Sequence, residues 1–221
     1  MTRRIVTVTA GLSQPSNTRM LADRLGAAVT AAVGGRGEQV ELEVIELREL
    51  ATELATIMAT GGLPTAGVAA VRERVSAADG VIAVTPVLAA SYSGLFKMFF
   101  DVLDQDALNG MPVLIGATAG TPRHSMVLDY ALRPLFVYLR ANVATTGVFC
   151  AASDLESMET TARIRRAAAE FAATVVFDEP GVRGFMSDEG HRPRRSGNDL
   201  NDSVPFTRLL AGHTGDPDPR S

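Results

Sequence analysis

Gly80-Val81-Ile82-Ala83-Val84-Thr85 is an unbroken run of strand length, apolar up to Thr85 and stopped by Pro86. Successive strand residues point to opposite faces, so a strand apolar at every position must be covered on both sides. Pro112–Ala117 and Ala144–Cys150 repeat the pattern. Between these runs lie helical stretches. In Asn17–Val33, Leu21, Leu25, Ala28 and Ala32 step by 4, 3 and 4, one face of a helix, and Gly34, Gly35 and Gly37 close it. Ser125–Arg140 shows the same stepping through Leu128, Leu132, Leu135 and Leu139. Leu47–Ala59, Gly67–Ala77 and Leu155–Val176 also read as helical.

Working outward, Ile5–Ala10 is a β-branched strand ending at Gly11. Gln39–Glu46 alternates, with Val40, Leu42 and Val44 on one side. Five strands alternating with helices predict an α/β fold with a doubly wound parallel sheet. Right-handed crossovers favour the flavodoxin-like order 2-1-3-4-5.

The chain has 221 residues, which suits one domain, placed at 1–178, plus a polar C-terminal tail at 179–221. Residues 181–221 are rich in Gly, Pro, Asp and Ser. They are expected to be partly disordered or to form an arm on their own subunit or a neighbour. Val204-Pro205-Phe206 with Leu209 and Leu210 is the piece apolar enough to dock. A net charge of −4 argues against nucleic-acid binding. The single cysteine, Cys150, excludes an internal disulfide and a cysteine-based zinc site and suits a reducing compartment. Apolar runs fall far short of the roughly 20 residues of a membrane span, and the opening run is too short for a signal peptide. The expected location is the cytoplasm.

In an open parallel sheet, ligands bind beyond the carboxyl ends of the strands near the switch in strand order. Three loops end there. Gly11-Leu12-Ser13-Gln14-Pro15-Ser16-Asn17-Thr18-Arg19 enters a helix. Its free amides, hydroxyls and helix dipole suit an anion, although Ser16 or Asn17 also serves as an ordinary N-cap. The loop lacks both GxxxxGK[ST] and GxGxxG spacing. Thr85-Pro86-Val87-Leu88-Ala89-Ala90-Ser91-Tyr92-Ser93-Gly94 predicts an extended loop that lies along a flat heterocycle. Gly116-Ala117-Thr118-Ala119-Gly120-Thr121-Pro122-Arg123-His124 is small enough for a planar ring to approach its backbone.

The helix Leu95–Leu103 is apolar nearly all round, and this predicts a covering partner subunit beside the reading of a fully buried core helix. Pro134 falls within Ser125–Arg140, where its ring clashes with the carbonyl of Tyr130. A kink or a π-bulge relieves that clash. HExxH, GxSxG and metal-loop patterns are absent from the sequence. No catalytic side chain and no metal ligand is assigned. The expected chemistry is that of a cofactor.

Together the three loops resemble the NAD(P)H-dependent FMN reductases of the flavodoxin-like superfamily over roughly residues 4–176. Thr85-Pro86-Val87 through Ser91-Tyr92-Ser93-Gly94-Leu95-Phe96-Lys97 to Asp101 looks like that family's flavin loop and following helix. Gly116–Thr121 with His124, followed by Asp129–Leu135, is similar to the branch that supplies reduced flavin to two-component monooxygenases. The resemblance implies phosphate contacts at Ser13, Ser16, Thr18 and Arg19. It implies ring contacts at Pro86, Val87, Leu88, Ser93, Thr118, Ala119, Gly120 and His124. Tyr130 matches a tyrosine inserted in a π-helical turn at a subunit interface near the flavin. The implied activity is NAD(P)H:FMN oxidoreductase, with FMN and NADPH or NADH, as a homodimer or homotetramer serving a flavin-dependent monooxygenase. Two other readings of the scaffold are an FMN-retaining quinone or azo-compound reductase and a flavodoxin-type electron carrier.

Overall fold

In the computed structural model, residues 1–176 and 194–198 are described; expectations for the rest of 179–221, including Val204-Pro205-Phe206, Leu209 and Leu210, lie outside the described residues. β1 (Thr2–Thr9) is an inner strand of the sheet, next to one edge. It pairs in parallel with β2 (Gln39–Glu46) on one side and β3 (Gly80–Leu88) on the other. β3 pairs with β5 (Pro112–Ala119), with Val84 beside Gly116. The order is β2-β1-β3-β5, and then the fifth position. This is the flavodoxin-like 2-1-3-4-5 arrangement.

α1 (Asn17–Gly34) and α6 (Met158–Val176) cover one face through Ile5, Leu21, Leu25, Ile82, Leu114 and Phe171. α2 (Ala51–Thr60) and α3 (Ala66–Ser76) cover the other. They share it with α4 (Gly94–Asp101) and α5 (Arg133–Tyr138), around Val6, Val8, Val81, Ala83 and Phe99. Residues 5 and 6 of β1 thus feed opposite cores, as the two-residue strand period requires.

The fifth position departs from the expected strand Ala144–Cys150. It is split into β6 (Asn142–Val143) and β7 (Val148–Ala151), both paired with β5. Side chains satisfy the backbone between them. Arg133 donates to the carbonyls of Ala144 (3.1 Å) and Thr145 (2.9 Å), and the Thr146 amide donates to Glu170 (2.8 Å). Those groups need no ladder partner.

The stretch after β3 is a hairpin rather than an extended loop. β3 continues to Leu88 and pairs antiparallel with β4 (Ser91–Tyr92). Ala89 (φ 47°) and Ala90 (φ 66°) make the turn in left-handed conformations, at about 1–2 kcal/mol each. Ser125–Arg140 is not one helix. A 3₁₀ turn at Pro122–His124 leads to a π-helical turn at Leu128–Leu132, and Pro134 sits in the first turn of α5. The π turn absorbs the residue that a straight helix would have driven into the proline ring.

The apolar helix α4 is covered by its own chain. Phe96 and Phe100 meet Phe136 with ring centroids 6.2 and 4.9 Å apart, both edge-on. At the opposite end of the sheet, residues 194–198 dock on the domain. Arg194 donates to Ala78 and Met111, Arg72 to the Ser196 carbonyl (2.9 Å), and Asn198 to the Ala69 carbonyl (2.8 Å). No described helix is long and apolar enough to cross a membrane.

Candidate functional site

β1 leads its backbone out at Ala10, whose amide donates to the Val84 carbonyl (3.0 Å). At Gly11 a Cβ would stand 2.1 Å from Ser16 Oγ, so a glycine is needed for Ser16 to fold back there. Ser16 then caps α1, accepting from the Arg19 amide (3.2 Å). Among the described residues the Asn17 and Thr18 amides have no acceptor. They face outward at the positive end of an 18-residue helix.

The Thr18 hydroxyl is 2.8 Å from the Thr118 hydroxyl, and both residues are buried. This bond joins the first loop to the end of β5. The register of β3 with β5 places Pro86 beside Thr118, which brings in the third wall. The result is a cleft of about 300 Å³. Ser13, Ser16, Thr18, Pro86, Val87, Leu88, Thr118, Ala119 and Gly120 all line it.

Four expected site residues do not line the cleft. Arg19 is turned aside by Asp23 (2.8 Å) and Glu46. The hydrogen bond that Arg19 donates to Asp23, with the charges of both carboxylates, holds its pKa above the ordinary arginine value. Ser93 is buried, and its hydroxyl caps α4 by accepting from Phe96 N (3.2 Å). His124 lies in the 3₁₀ turn. Tyr130 is 76% exposed in the π turn, over a separate groove with Phe100, Leu135 and Tyr138.

Leu12, Asn17 and Ala152 line the cleft without having been singled out. Asn17 was open to inference as the first helical residue of a hydroxyl-rich loop. Leu12 is a large apolar side chain left half exposed. Ala152 follows β7 and carries no chemical signal of its own.

Among the described residues no ionisable side chain lines the cleft. Its attraction for an anion comes from backbone amides, hydroxyls and the helix end. A larger cavity of about 600 Å³ lies across the Gly120–Pro122 and Ala151–Ala152 backbone. Asp129, Asp154 and Glu159 outnumber Arg163 there, so it suits a phosphate less well. The small residues Ala119 and Gly120 open the remaining wall, and a Cβ at Gly120 would meet nothing within 4 Å. A planar ring with a phosphate-bearing chain fits this combination.

The sequence model of the family described as NADPH-dependent FMN reductase matches residues 3–156. An FMN reductase (NADPH) of Pseudomonas aeruginosa is 36% identical over 170 residues, covering 75% of this chain and 88% of that protein. An NADH-dependent FMN reductase, SfnE, of Pseudomonas putida is 37% identical over 169 residues, covering 74% and 88%. Among solved structures, an oxidoreductase from Corynebacterium diphtheriae superposes with a TM-score of 0.76 at 52% identity. That match covers 79% of this chain and 97% of the other.

Proposed function

The chain belongs to the NADPH-dependent FMN reductase family, and from that premise we propose that its cleft takes FMN as acceptor for NADH or NADPH, the product serving a partner flavin-dependent monooxygenase. The activity is that of an NAD(P)H:FMN oxidoreductase. The observation that carries the assignment of FMN to this cleft is the bond between Thr18 and Thr118, which joins a set of free helix-start amides to a small-residue wall.

FMN, when bound, supplies the ring that accepts hydride from the nicotinamide. The chain's own residues bind and orient it. The Asn17 and Thr18 amides, with the Ser16 hydroxyl, would receive the phosphate. Pro86, Val87 and Leu88 on one side, and Thr118, Ala119 and Gly120 on the other, present backbone to the ring edge. Among the lining side chains none is placed to move a proton, so orientation is the protein's contribution.

A homo-oligomer belongs to the same proposal. Tyr130 (76% exposed) and Tyr138 (73%) border the groove floored by Phe100, Leu135 and Leu139. Aromatic residues with polar tips suit an interface between copies. Light scattering is expected to give more than the 23.3 kDa of one chain.

The test of the activity is steady-state oxidation of NADH and of NADPH with FMN, FAD and riboflavin. Turnover with FMN supports the proposal. No oxidation of either nucleotide with any flavin overturns it.

A further inference from the structure

We infer that Arg48 is a positioning residue for the phosphate end of the cleft, acting through Gln14. The inference rests on the FMN reading of that cleft.

Arg48 stands in the 3₁₀ turn Leu47–Leu50 that follows β2, outside the cleft lining. With the Gln14 amide oriented so that its oxygen, rather than its nitrogen, faces Arg48, both terminal nitrogens of Arg48 donate to that oxygen, at 2.5 Å each. Its Nε pairs with Glu46 at 2.7 Å, and the two side chains are 25% and 19% exposed. Glu46 also accepts from Arg19, and Arg19 in turn holds Asp23 of α1. The chain of contacts therefore runs from β2 to the middle of the first loop and to the start of α1.

Gln14 sits between Ser13 and Ser16, the two hydroxyl residues of the cleft's phosphate end. Ser13 folds back on the loop, donating to the Pro15 carbonyl (2.9 Å). The loop lies at the surface, and a phosphate site built from amides and hydroxyls works only if they converge. The forked guanidinium on Gln14 is the side-chain contact that holds the middle of this loop from behind. Two guanidinium nitrogens converging on one amide oxygen fix its position more closely than the single nitrogen of an ammonium does. Arg48 lies outside the cleft lining and its Nε is paired with Glu46. Its effect is on geometry, and it should be felt by the phosphate alone.

The experiment measures binding of FMN and of riboflavin, which lacks the phosphate, by flavin fluorescence quenching with the full chain. Arg48→Ala and Gln14→Ala are each expected to weaken FMN by about tenfold and to leave riboflavin unchanged. The double variant should be little worse than either single one, because one contact is removed in all three. Arg48→Lys should remain weak for FMN. Equal weakening of FMN and riboflavin, full rescue by lysine, or an unaffected Gln14→Ala would each overturn the inference while leaving the FMN reading in place. A wild-type chain that bound neither flavin would remove that reading and the inference with it.

Discussion

The hydroxyls of Thr18 and Thr118 lie 2.8 Å apart across 100 residues of chain, and both residues are buried. One belongs to the first turn of α1 and the other to the carboxyl end of β5, the sheet's fourth strand. Their bond holds the first loop and the end of β5 together across the cleft. Thr118→Val keeps the shape and leaves the Thr18 hydroxyl buried without a partner. The expected cost is about 1–3 kcal/mol in urea unfolding. FMN binding should weaken with it. A double Val variant should cost less than the two single changes summed. An unfolding free energy unchanged in both single variants would contradict this.

Gly120 lines the cleft with nothing within 4 Å of an added Cβ. Gly120→Val should therefore fold with stability within about 1 kcal/mol of the parent. It should lose flavin binding, because the isopropyl group fills the space proposed for the ring. Thermal melting and fluorescence titration separate the two effects. A variant that still bound FMN at parental affinity would place the ring elsewhere.

Cys150 is buried, and burial is the main reason its thiol is pushed above the ordinary range. The folded chain keeps the proton that the unfolded chain loses above pH about 8.5. Stability linked to this group is present below that pH and declines as pH rises above it. Native protein should resist iodoacetamide at pH 8 and react promptly in urea. Rapid alkylation of the native chain would show the thiol to be accessible.

Gly197 (φ 75°) is pressed on Arg72, where an added Cβ would lie 2.1 Å from a guanidinium nitrogen and 2.8 Å from Asp104 Cβ. Gly197→Ala should release the segment 194–198 from Arg72 and Ala69. The expected loss is about 1–2 kcal/mol, with faster tryptic cleavage at Arg194 and Arg195. NAD(P)H oxidation should be unchanged, because this contact lies at the amino ends of the strands and the cleft at their carboxyl ends. An activity loss equal to that of a cleft variant would contradict the assignment.

The layers and strand order were legible in advance for a simple reason. Val81, Ile82, Ala83 and Val84 can be buried on both faces only in a covered parallel strand. The π turn at Leu128–Leu132 was legible as one of two remedies for the ring of Pro134. Nine of the expected cleft residues meet in one place because loop position along a parallel sheet is itself a spatial coordinate. Arg19 was misplaced because its partner Glu46 lies at the end of another strand, and no local pattern ties the two. Ser93 is a hydroxyl in the right loop, but its side chain was needed to cap α4.

Periodicity and loop chemistry are properties of neighbours along the chain, and they alone determined the α/β class, the sheet order and the three loops that matter. Which hydroxyls face the cleft, which arginine is neutralised, and what covers the aromatic helix depend on side chains that meet only after the chain has closed on itself. Thr18 with Thr118, Arg19 with Glu46, Arg48 with Gln14, and Phe100 with Phe136 are such meetings. Each is a short-range contact whose energy falls away within a few ångströms, and so only the tertiary structure decided them.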